Sequence, residues 1–194
     1  MTAFIRYEQN DKITGLYSAN CNARLIWGGD VTIRNIRRIE SVPERCVDIA
    51  FSDRYSLCII NAQSVNKLNE IELVNLSERF YNDTYLMDQN ACSSPHLIVW
   101  QGNQQELAKE RFWTAVHNTV VEKYQLAAIS AMDKYTMLCQ NAIDLNNIRT
   151  IKKHGNYVYR IELDTIPDDI DTLRGKFGYF YEHNIDNIKS IAHI

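Results

Sequence analysis

Residues 88–100 read Asp-Gln-Asn-Ala-Cys-Ser-Ser-Pro-His-Leu-Ile-Val-Trp, and this stretch decides how the rest of the chain is interpreted. Residues 65–88 lead into it with apolar side chains at helical spacing, and residues 97–100 are a short apolar run typical of a buried strand. Between the two, Cys92 is flanked by small polar residues and a proline. The pattern predicts a helix, a loop that displays a thiol, and a strand.

Helices and strands alternate on both sides of this loop. Upstream, the sequence predicts an irregular or hairpin-like segment over residues 1–22, a strand over 23–27, a glycine turn, a helix over 31–39, and strands over 45–51 and 55–60. Downstream, it predicts a helix capped by Asn103, a helix over 128–142 paired with it, a hairpin over 148–163, a strand over 175–181 and a helix over 184–194. This order favours an α/β fold in which helices cover a sheet. Because the chain stops inside a helical pattern, we expect it to be cut rather than finished.

The composition is that of an ordinary globular protein. With 194 residues, of which 45% are hydrophobic and 23% charged, the chain fits one or two domains with a packed core. A net charge of −3 with dispersed Lys and Arg offers no basic surface, so nucleic acid is not an expected partner. No run reaches the roughly 18 apolar residues of a membrane span, and residues 1–9 lack the apolar region of a signal peptide. We therefore expect a cytoplasmic protein.

Cys92 is the strongest candidate for chemistry. The thiolate is a nucleophile, and a loop rich in backbone amides can provide both access and a favourable field. The alternative is a buried cysteine that behaves as a small apolar residue. The preceding helix opposes the functional interpretation, since the partial negative charge at a helix C-terminus raises the pKa of a nearby thiol.

The remaining cysteines and the histidines give weaker signals. Cys46 and Cys58 lie in predicted strands and Cys139 lies on the apolar side of a helix, so all three are expected in the core, while Cys21 is left open. An odd number of cysteines without close pairs in the sequence indicates reduced thiols rather than a disulfide framework or a zinc ribbon. No histidine stands at metal-ligand spacing, so no metal is expected.

Gly28 and Gly29 lie between a predicted strand and a predicted helix. Such a turn lets the backbone approach a cofactor, and the N-terminus of the helix favours phosphate or ribose oxygens. The alternative is a purely structural turn, because the G-x-G-x-x-G spacing of dinucleotide sites is absent.

Three features occur together in this sequence. They are Arg-Leu-Ile-Trp-Gly-Gly-Asp at residues 24–30, Asn-Ala-Cys-Ser-Ser-Pro-His at residues 90–96, and the strand-like run over 47–60 between them. In this combination the chain resembles the acyl-CoA reductase family of bacterial bioluminescence (the LuxC type), a branch of the aldehyde dehydrogenase superfamily. The resemblance covers most of residues 23–190. It implies an aldehyde-dehydrogenase-like catalytic domain, with a mixed, mostly parallel sheet flanked by helices, truncated at both ends.

The resemblance also implies a fatty acyl reductase that uses NADPH. Cys92 matches the nucleophile of the family, which takes the acyl group as a thioester, and its own backbone N–H would contribute to an oxyanion hole. Gly28 and Gly29 match the turn that approaches the nicotinamide end of the cofactor. The implied partners are a fatty acyl-CoA or acyl-protein donor, together with acyl-protein synthetase and acyltransferase subunits, and the full-length form is expected to be an oligomer.

Departures from the wider superfamily narrow this expectation. Ala50 stands where hydrolytic aldehyde dehydrogenases have a glutamate base, and the missing base favours reduction of acyl groups over oxidation of aldehydes. The ribose-binding E-x-F-G-P segment has no match near residues 154–159. The phosphate- and adenine-binding part should lie before residue 1. Residues 1–45 are therefore expected to be a remnant of the cofactor-binding domain, and residues 46–194 an incomplete catalytic domain.

The sequence is compatible with three different functions. The first is the catalytic part of a fatty acyl-CoA reductase, with Cys92 as the acyl acceptor. The second is an inactive fold fragment that acts only in packing or oligomer contacts. A Cys–His thioesterase or protease ranks third, and it requires a histidine within hydrogen-bond reach of Cys92.

Overall fold

The computed structural model describes residues 3–39, 42–52 and 54–191. The chain divides into two compact units, residues 1–54 and residues 55–194. The boundary between these units lies after the predicted domain boundary at residue 45, because the strand that follows residue 46 pairs within the first unit. The functional division into a cofactor-binding remnant and a catalytic domain stays a prediction.

The first unit contains two helices and a pair of parallel strands. Its elements are α1 (Asp11–Ala19), β1 (Ala23–Trp27), α2 (Asp30–Ile39) and β2 (Val47–Phe51). The predicted strand, glycine turn and helix over residues 23–39 are confirmed. The irregular or hairpin-like segment predicted for residues 1–22 is wrong at residues 11–19, since the Asn10 side chain accepts hydrogen bonds from the amides of Lys12 and Ile13 and thereby caps α1.

One face of this two-stranded sheet is apolar and exposed. Alternate residues point to opposite sides of a strand, so β1 and β2 place the same set of side chains on one face. These exposed residues are Leu25, Trp27, Val47, Ile49 and Phe51. Trp27 is 79% exposed and stacks on Phe51 with ring centroids 5.5 Å apart. The face is therefore unusually apolar for a solvated surface.

The second unit is built on a five-stranded sheet. Its strands are β3 (Leu57–Asn61), β4 (Leu97–Gln101), β5 (Ile148–His154), β6 (Val158–Leu163) and β7 (Tyr179–Ile185), in the order β3-β4-β7-β6-β5. All neighbours are parallel except β5, which pairs antiparallel with β6 at the edge. The predicted α/β fold with a mixed, mostly parallel sheet is confirmed, and so is the hairpin over residues 148–163.

Four helices cover the sheet: α3 (Ala62–Lys67), α4 (Glu70–Thr84), α5 (Gln105–Lys123) and α6 (Ala128–Asp144). The single helix predicted from residue 65 is divided because Asn69 and Glu72 form a reciprocal capping box that starts α4. No helix in the three described ranges is long and apolar enough to span a membrane.

The helices lie on both faces of the sheet. Ile98, Trp100 and Phe180 pack with the side chains of α3, α4 and α5, whereas Val99 and Tyr181 face the other side with Leu138 of α6. The predicted pairing of α5 with α6 is therefore wrong, and α5 packs with α4 instead.

Two local predictions at the ends of elements also fail. The residue before α5 is Gln104, which has a left-handed backbone and makes no side-chain cap, so Asn103 does not cap this helix. Residues 184–185 complete β7 where a helix was predicted, and a short 3₁₀ helix follows at Ile188–Ile191. The last three residues of that prediction lie outside the described residues.

Buried charged and polar side chains sit on the α5 face of the sheet. The indole Nε1 atoms of Trp100 and Trp113 both donate to Glu182 Oε1 at 2.7 Å, and Arg160 Nε donates to Glu182 Oε2 at 2.8 Å. Because an unpaired buried carboxylate is costly, this set of donors fixes β6, β7 and α5 relative to one another.

Candidate active site

The loop at residues 88–96 connects the end of the α4 region to β4. A 3₁₀ turn at Tyr85–Met87 follows α4, and the Ser94 amide then donates to Ala91 O at 2.9 Å, so the chain turns tightly around Cys92. Cys92 is exposed, and its neighbour Ser94 is buried. The structure thus presents this thiol to solvent on a loop, as the sequence predicted, whereas its catalytic role stays a prediction.

Gln89 fastens the loop to the start of β7. Its side chain is 1% exposed and makes four hydrogen bonds. Nε2 donates to Pro95 O at 3.1 Å and to Tyr179 O at 3.0 Å, and Oε1 accepts from the amides of Gly178 and Tyr179, both at 3.1 Å. All hydrogen-bonding positions of this amide are used. Gln89 therefore joins both ends of the loop to one strand.

The backbone at Asp88 and Gln89 is strained. Both residues are left-handed, with φ of 52° and 63°, a conformation that costs a non-glycine residue about 1 kcal/mol or more. Phe177 N donates to Asp88 O at 3.2 Å, and Tyr124 Oη donates to Asp88 Oδ1 at 2.5 Å. Together with the bonds of Gln89, these contacts hold the two residues in a conformation that the chain would otherwise avoid.

The segment that receives Gln89 is itself anchored. Lys134 is buried, and its Nζ donates to Phe177 O at 2.7 Å and to the carbonyl of Asn156. Burial lowers the pKa of Lys134 to about 7. Gly178 is also required here, because its φ is +84° and an added Cβ would meet Tyr157 O at 2.2 Å. The loop therefore rests on a rigid segment.

Two hydroxyl groups hold the middle of the loop. Ser56 Oγ donates to Cys92 O at 2.6 Å, and Ser94 Oγ donates to Asp83 O at 2.6 Å. In the described part of the chain, the backbone N–H groups of Cys92 and Ser93 have no acceptor. Next to an exposed thiol, two free amides can bind an oxygen that becomes negatively charged.

The described histidines make their hydrogen bonds and ring contacts with residues other than Cys92. His96 is buried, its Nδ1 lies 3.1 Å from Gly175 O, and its ring packs against Tyr55. His183 Nδ1 is 2.9 Å from Leu163 O, His117 and His154 contact each other, and His193 lies outside the described residues. No hydrogen bond joins a histidine to Cys92 Sγ within the described ranges, so a Cys–His hydrolase has no geometric support there.

The other cysteines depart partly from prediction. Cys139 is exposed on α6, so its expected place in the core is wrong, because the side of α6 that carries it does not face the sheet. Cys46 and Cys58 are only half-buried, and burial raises the pKa of Cys58. All five thiols are free, and the sulfurs of Cys21 and Cys46 lie 3.6 Å apart. No group of residues suited to hold a metal occurs in the described ranges.

The glycine turn of the first unit lies between β1 and α2. Gly28 N donates to Phe51 O at 3.3 Å, and an added Cβ at Gly28 would lie 3.0 Å from Thr32 Cγ2. At Gly29 an added Cβ would meet nothing within 4 Å, so the space beside it is open. Gly28 therefore has a packing reason to be glycine, and the cofactor role of both residues stays a prediction.

Sequence reasoning missed Gln89 and Ser56. A glutamine between an aspartate and an asparagine has the composition of an exposed turn, and its partners at residues 178 and 179 are distant in sequence. The only signal in the sequence was its position shortly before Cys92, which by itself indicates nothing specific.

Comparison with known proteins extends these observations. The family model for "Acyl-CoA reductase (LuxC)" matches residues 3–137. No curated protein matches the chain. The solved structures that share its fold include aldehyde dehydrogenase 21 from Physcomitrella patens, in complex with the reaction product succinate. That structure has a TM-score of 0.58 and 11% identity, over 92% of this chain and 38% of the other.

Two further structures have the same fold. An aldehyde dehydrogenase C mutant from Pseudomonas syringae, complexed with NAD+ and octanal, has a TM-score of 0.55 and 10% identity, over 91% of this chain and 39% of the other. The substrate-bound AldH of Staphylococcus aureus has a TM-score of 0.52 and 13% identity, over 93% and 40%. At such identities the likeness shows the fold alone. The chain spans about two fifths of the length of these structures.

Proposed function

The chain belongs to the acyl-CoA reductase (LuxC) family, and on that premise we propose that it carries the acyl-accepting site of a fatty acyl reductase, with Cys92 as the nucleophile. The proposed donor is a fatty acyl-CoA or an acyl-protein, and the proposed product is a long-chain aldehyde. The observation that supports this most directly is an exposed thiol on a loop held by the buried Gln89.

In the proposed reaction, the Cys92 thiolate attacks the carbonyl carbon of the acyl donor. The bond from carbon to the leaving thiol breaks, and the acyl group remains as a thioester on Cys92. As the carbonyl oxygen gains negative charge, the amides of Cys92 and Ser93 are its proposed hydrogen-bond donors, and their lack of another acceptor in the described part of the chain supports this role. Ser56 supports this arrangement because it holds the carbonyl of Cys92 and thereby orients the peptide on its C-terminal side.

The proposed cofactor is NADPH, which when bound supplies the hydride that reduces the acyl group. Open space beside Gly29 fits the approach of an uncharged part of the cofactor, such as the nicotinamide end. The first turn of α2 fits a phosphate poorly, because Asp30 begins this helix and its carboxylate repels a second anion. Gly28 and Gly29 are therefore proposed as neighbours of the nicotinamide end only.

Ala50 bears on the fate of the proposed thioester. It lies in β2 opposite Ile26, and an alanine has no group that could activate water. Because this alanine stands where the resemblance puts the hydrolytic base, we expect slow hydrolysis of the proposed thioester, which leaves it available for reduction. Release of the aldehyde then returns the thiolate of Cys92, so the cysteine is regenerated.

The proposal is tested by acyl transfer to the thiol. The full chain is incubated with a long-chain acyl-CoA that carries a terminal alkyne, and the adduct is located by peptide mass spectrometry. We expect a hydroxylamine-sensitive adduct on Cys92, which is lost in Cys92→Ala and retained in Cys139→Ala, because Cys139 is the other exposed thiol of this unit. Equal labelling of Cys92→Ala, or equal labelling of both thiols, would contradict the proposal.

A second candidate function rests on the exposed apolar face of β1 and β2. Five large apolar side chains on two short strands favour a surface that packs against other protein. On this view the chain contributes contacts rather than catalysis. Absence of acyl transfer, together with concentration-dependent self-association that Trp27→Ser abolishes, would support it over the enzymatic proposal.

A further inference from the structure

A pair of thiols lies at the base of the two-stranded sheet in the first unit. Cys21 follows α1 and Cys46 precedes β2, and their sulfurs are 3.6 Å apart. This is the only sulfur pair in contact within the described part of the chain. The two residues are separated by 25 positions in sequence, which is why sequence spacing gave no sign of the pair.

The backbone brings these side chains together independently of their chemistry. Val47 N donates to Asn22 O at 3.0 Å, and the parallel register then pairs Ala23 with Val47. This pairing keeps the two segments adjacent, with Cys46 one residue before Val47 and Cys21 two residues before Ala23, and the sulfur contact at 3.6 Å joins them. A disulfide needs a sulfur–sulfur distance of about 2.05 Å, so the two sulfurs must approach by roughly 1.5 Å. Side-chain rotation of both cysteines provides a movement of this size.

The surroundings leave both thiols free to react. Cys21 Sγ donates to Ser18 O at 3.3 Å and Cys46 Sγ donates weakly to Val47 O at 3.7 Å, contacts that a rotating thiol gives up easily. Both residues are half-buried, so a small reagent reaches them. Burial and the adjacent thiol of Cys21 raise the pKa of Cys46, so the thiolate fraction of Cys46 is smaller at neutral pH and its rate of attack keeps rising into the alkaline range.

We propose that Cys21 and Cys46 form a reversible disulfide when the chain meets a small-molecule disulfide such as oxidised glutathione. One cysteine thiolate attacks a glutathione sulfur, the sulfur–sulfur bond of the reagent breaks, and one glutathione thiolate leaves. The second cysteine thiolate then attacks the mixed disulfide and releases the other glutathione. The two cysteines lose two electrons in total, and their two protons pass to the two glutathione thiolates.

The cross-link would close a loop that contains β1, the turn at Gly28 and Gly29, and α2. A bond across such a loop reduces the freedom of the unfolded chain and so stabilises the enclosed elements. The consequence is that oxidation stiffens the turn which the proposed function places beside the nicotinamide. Formation of the bond itself does not depend on that function, because it requires only the two thiols and an oxidant.

The experiment uses the full chain with Cys92→Ser and Cys139→Ser, which removes the two exposed thiols. After treatment with oxidised glutathione, we expect titratable thiols to fall from three to one, a mass loss of two hydrogen atoms, and a cross-linked peptide pair that contains Cys21 and Cys46. Dithiothreitol should restore all three thiols. Hydrogen exchange in the peptide that covers α2 should slow in the oxidised form.

The matched control is Cys46→Ser in the same background, which should stop at a glutathione adduct on Cys21 with no internal cross-link. A stable glutathione adduct in the parent protein, or a link from Cys21 to Cys58, would overturn the proposal. If the double variant folds poorly, peptide mapping of the unmutated chain gives the same answer, because a Cys21–Cys46 peptide pair can be identified among other oxidation products.

Discussion

The cysteine loop and the glycine turn are held in place by different means. The loop at Cys92 is fixed by a neutral buried side chain, Gln89, whose four hydrogen bonds bridge it to β7. The turn at Gly28 packs closely on Thr32, and β1 and α2 beside it are joined to β2 by ion pairs from Arg24 and Arg37 to Asp48. The loop exposes a reactive side chain, whereas the turn exposes backbone atoms.

The two elements should therefore respond differently to substitution. A loop held by buried hydrogen bonds fails when one partner is removed, since the groups left behind stay unpaired in the interior. A turn held by packing and by partly exposed ion pairs loses less free energy of unfolding for each substitution. The part of this loss that comes from the ion pairs depends on pH. Substitutions in the two elements should therefore differ in their effect on the free energy of unfolding.

Gln89→Ala should destabilise the second unit by about 3 kcal/mol or more, because four hydrogen bonds are lost and buried groups of Pro95, Gly178 and Tyr179 are left unpaired. Urea denaturation followed by fluorescence measures this, since Trp100 and Trp113 are fully buried in the same unit.

The control for this substitution is Gln125→Ala, an exposed glutamine in the same unit, which should change the free energy of unfolding by less than about 0.5 kcal/mol. A loss below about 1 kcal/mol in Gln89→Ala would show that the loop does not depend on this side chain, and the contrast between the two regions would fail.

Gly28→Ala should destabilise the first unit by about 1 kcal/mol, since the new methyl group would crowd Thr32 Cγ2 at 3.0 Å. Gly29→Ala provides the matched control. An added methyl group at residue 29 would meet no atom within 4 Å. Glycine is favoured over alanine at the start of a helix, whereas alanine lowers the entropy of the unfolded chain, and these two effects oppose each other. We therefore expect the free energy of unfolding to change by less than about 0.5 kcal/mol. Hydrogen exchange in α2 measures both, and equal effects would contradict the packing argument.

Asp48→Asn should lower the free energy of unfolding of the first unit by about 1 kcal/mol at neutral pH and should have almost no effect in acid. Hydrogen bonds from Arg24 and Arg37 hold the pKa of Asp48 below its usual value, although partial burial opposes them. As the folded pKa is the lower one, the contribution is fully present above the unfolded pKa and is lost as the pH falls through the folded pKa.

Hydrogen exchange in α2, corrected for intrinsic rates at each pH, measures this dependence. The exposed carboxylate of Glu8 gives the control Glu8→Gln, which should leave the pH profile unchanged. If the pH dependence of hydrogen exchange in Asp48→Asn is parallel to that of the unmutated chain, the ion pairs do not contribute to the stability of the first unit. The cysteine loop should show no such dependence at Gln89, because an amide does not titrate.

Much of the fold followed from local sequence patterns. The strand, turn and helix over residues 23–39 could be predicted because an apolar run, two glycines and a helical period follow one another directly. Helix α1 was missed because its periodicity is weak and its cap is a single asparagine in a polar segment. The pairing of α5 with α6 was wrong because neighbours in sequence need not share a face of the sheet.

The candidate site could be predicted only in part. The exposure of Cys92 on a loop could be predicted because its small polar neighbours and the proline are local signals of a loop. Its support by Gln89 could not be predicted, since hydrogen bonds to Gly178 and Tyr179 arise only after β7 has been placed beside β4. The contact between Cys21 and Cys46 also depends on tertiary structure, because it arises only after β1 and β2 have paired and brought the segments before them together.

The antiparallel strand β5 has a consequence for association between molecules. It closes one edge of the larger sheet and carries Arg149, Lys152 and Lys153, with Arg149 57% exposed at its side chain. Unpaired edge strands recruit the edges of other molecules, and basic side chains along such an edge discourage this recruitment through charge repulsion. Arg149 and Lys152 also pair with carboxylates of the same chain, so we expect strand addition at this edge to be disfavoured chiefly by Lys153 and by the bulk of these side chains.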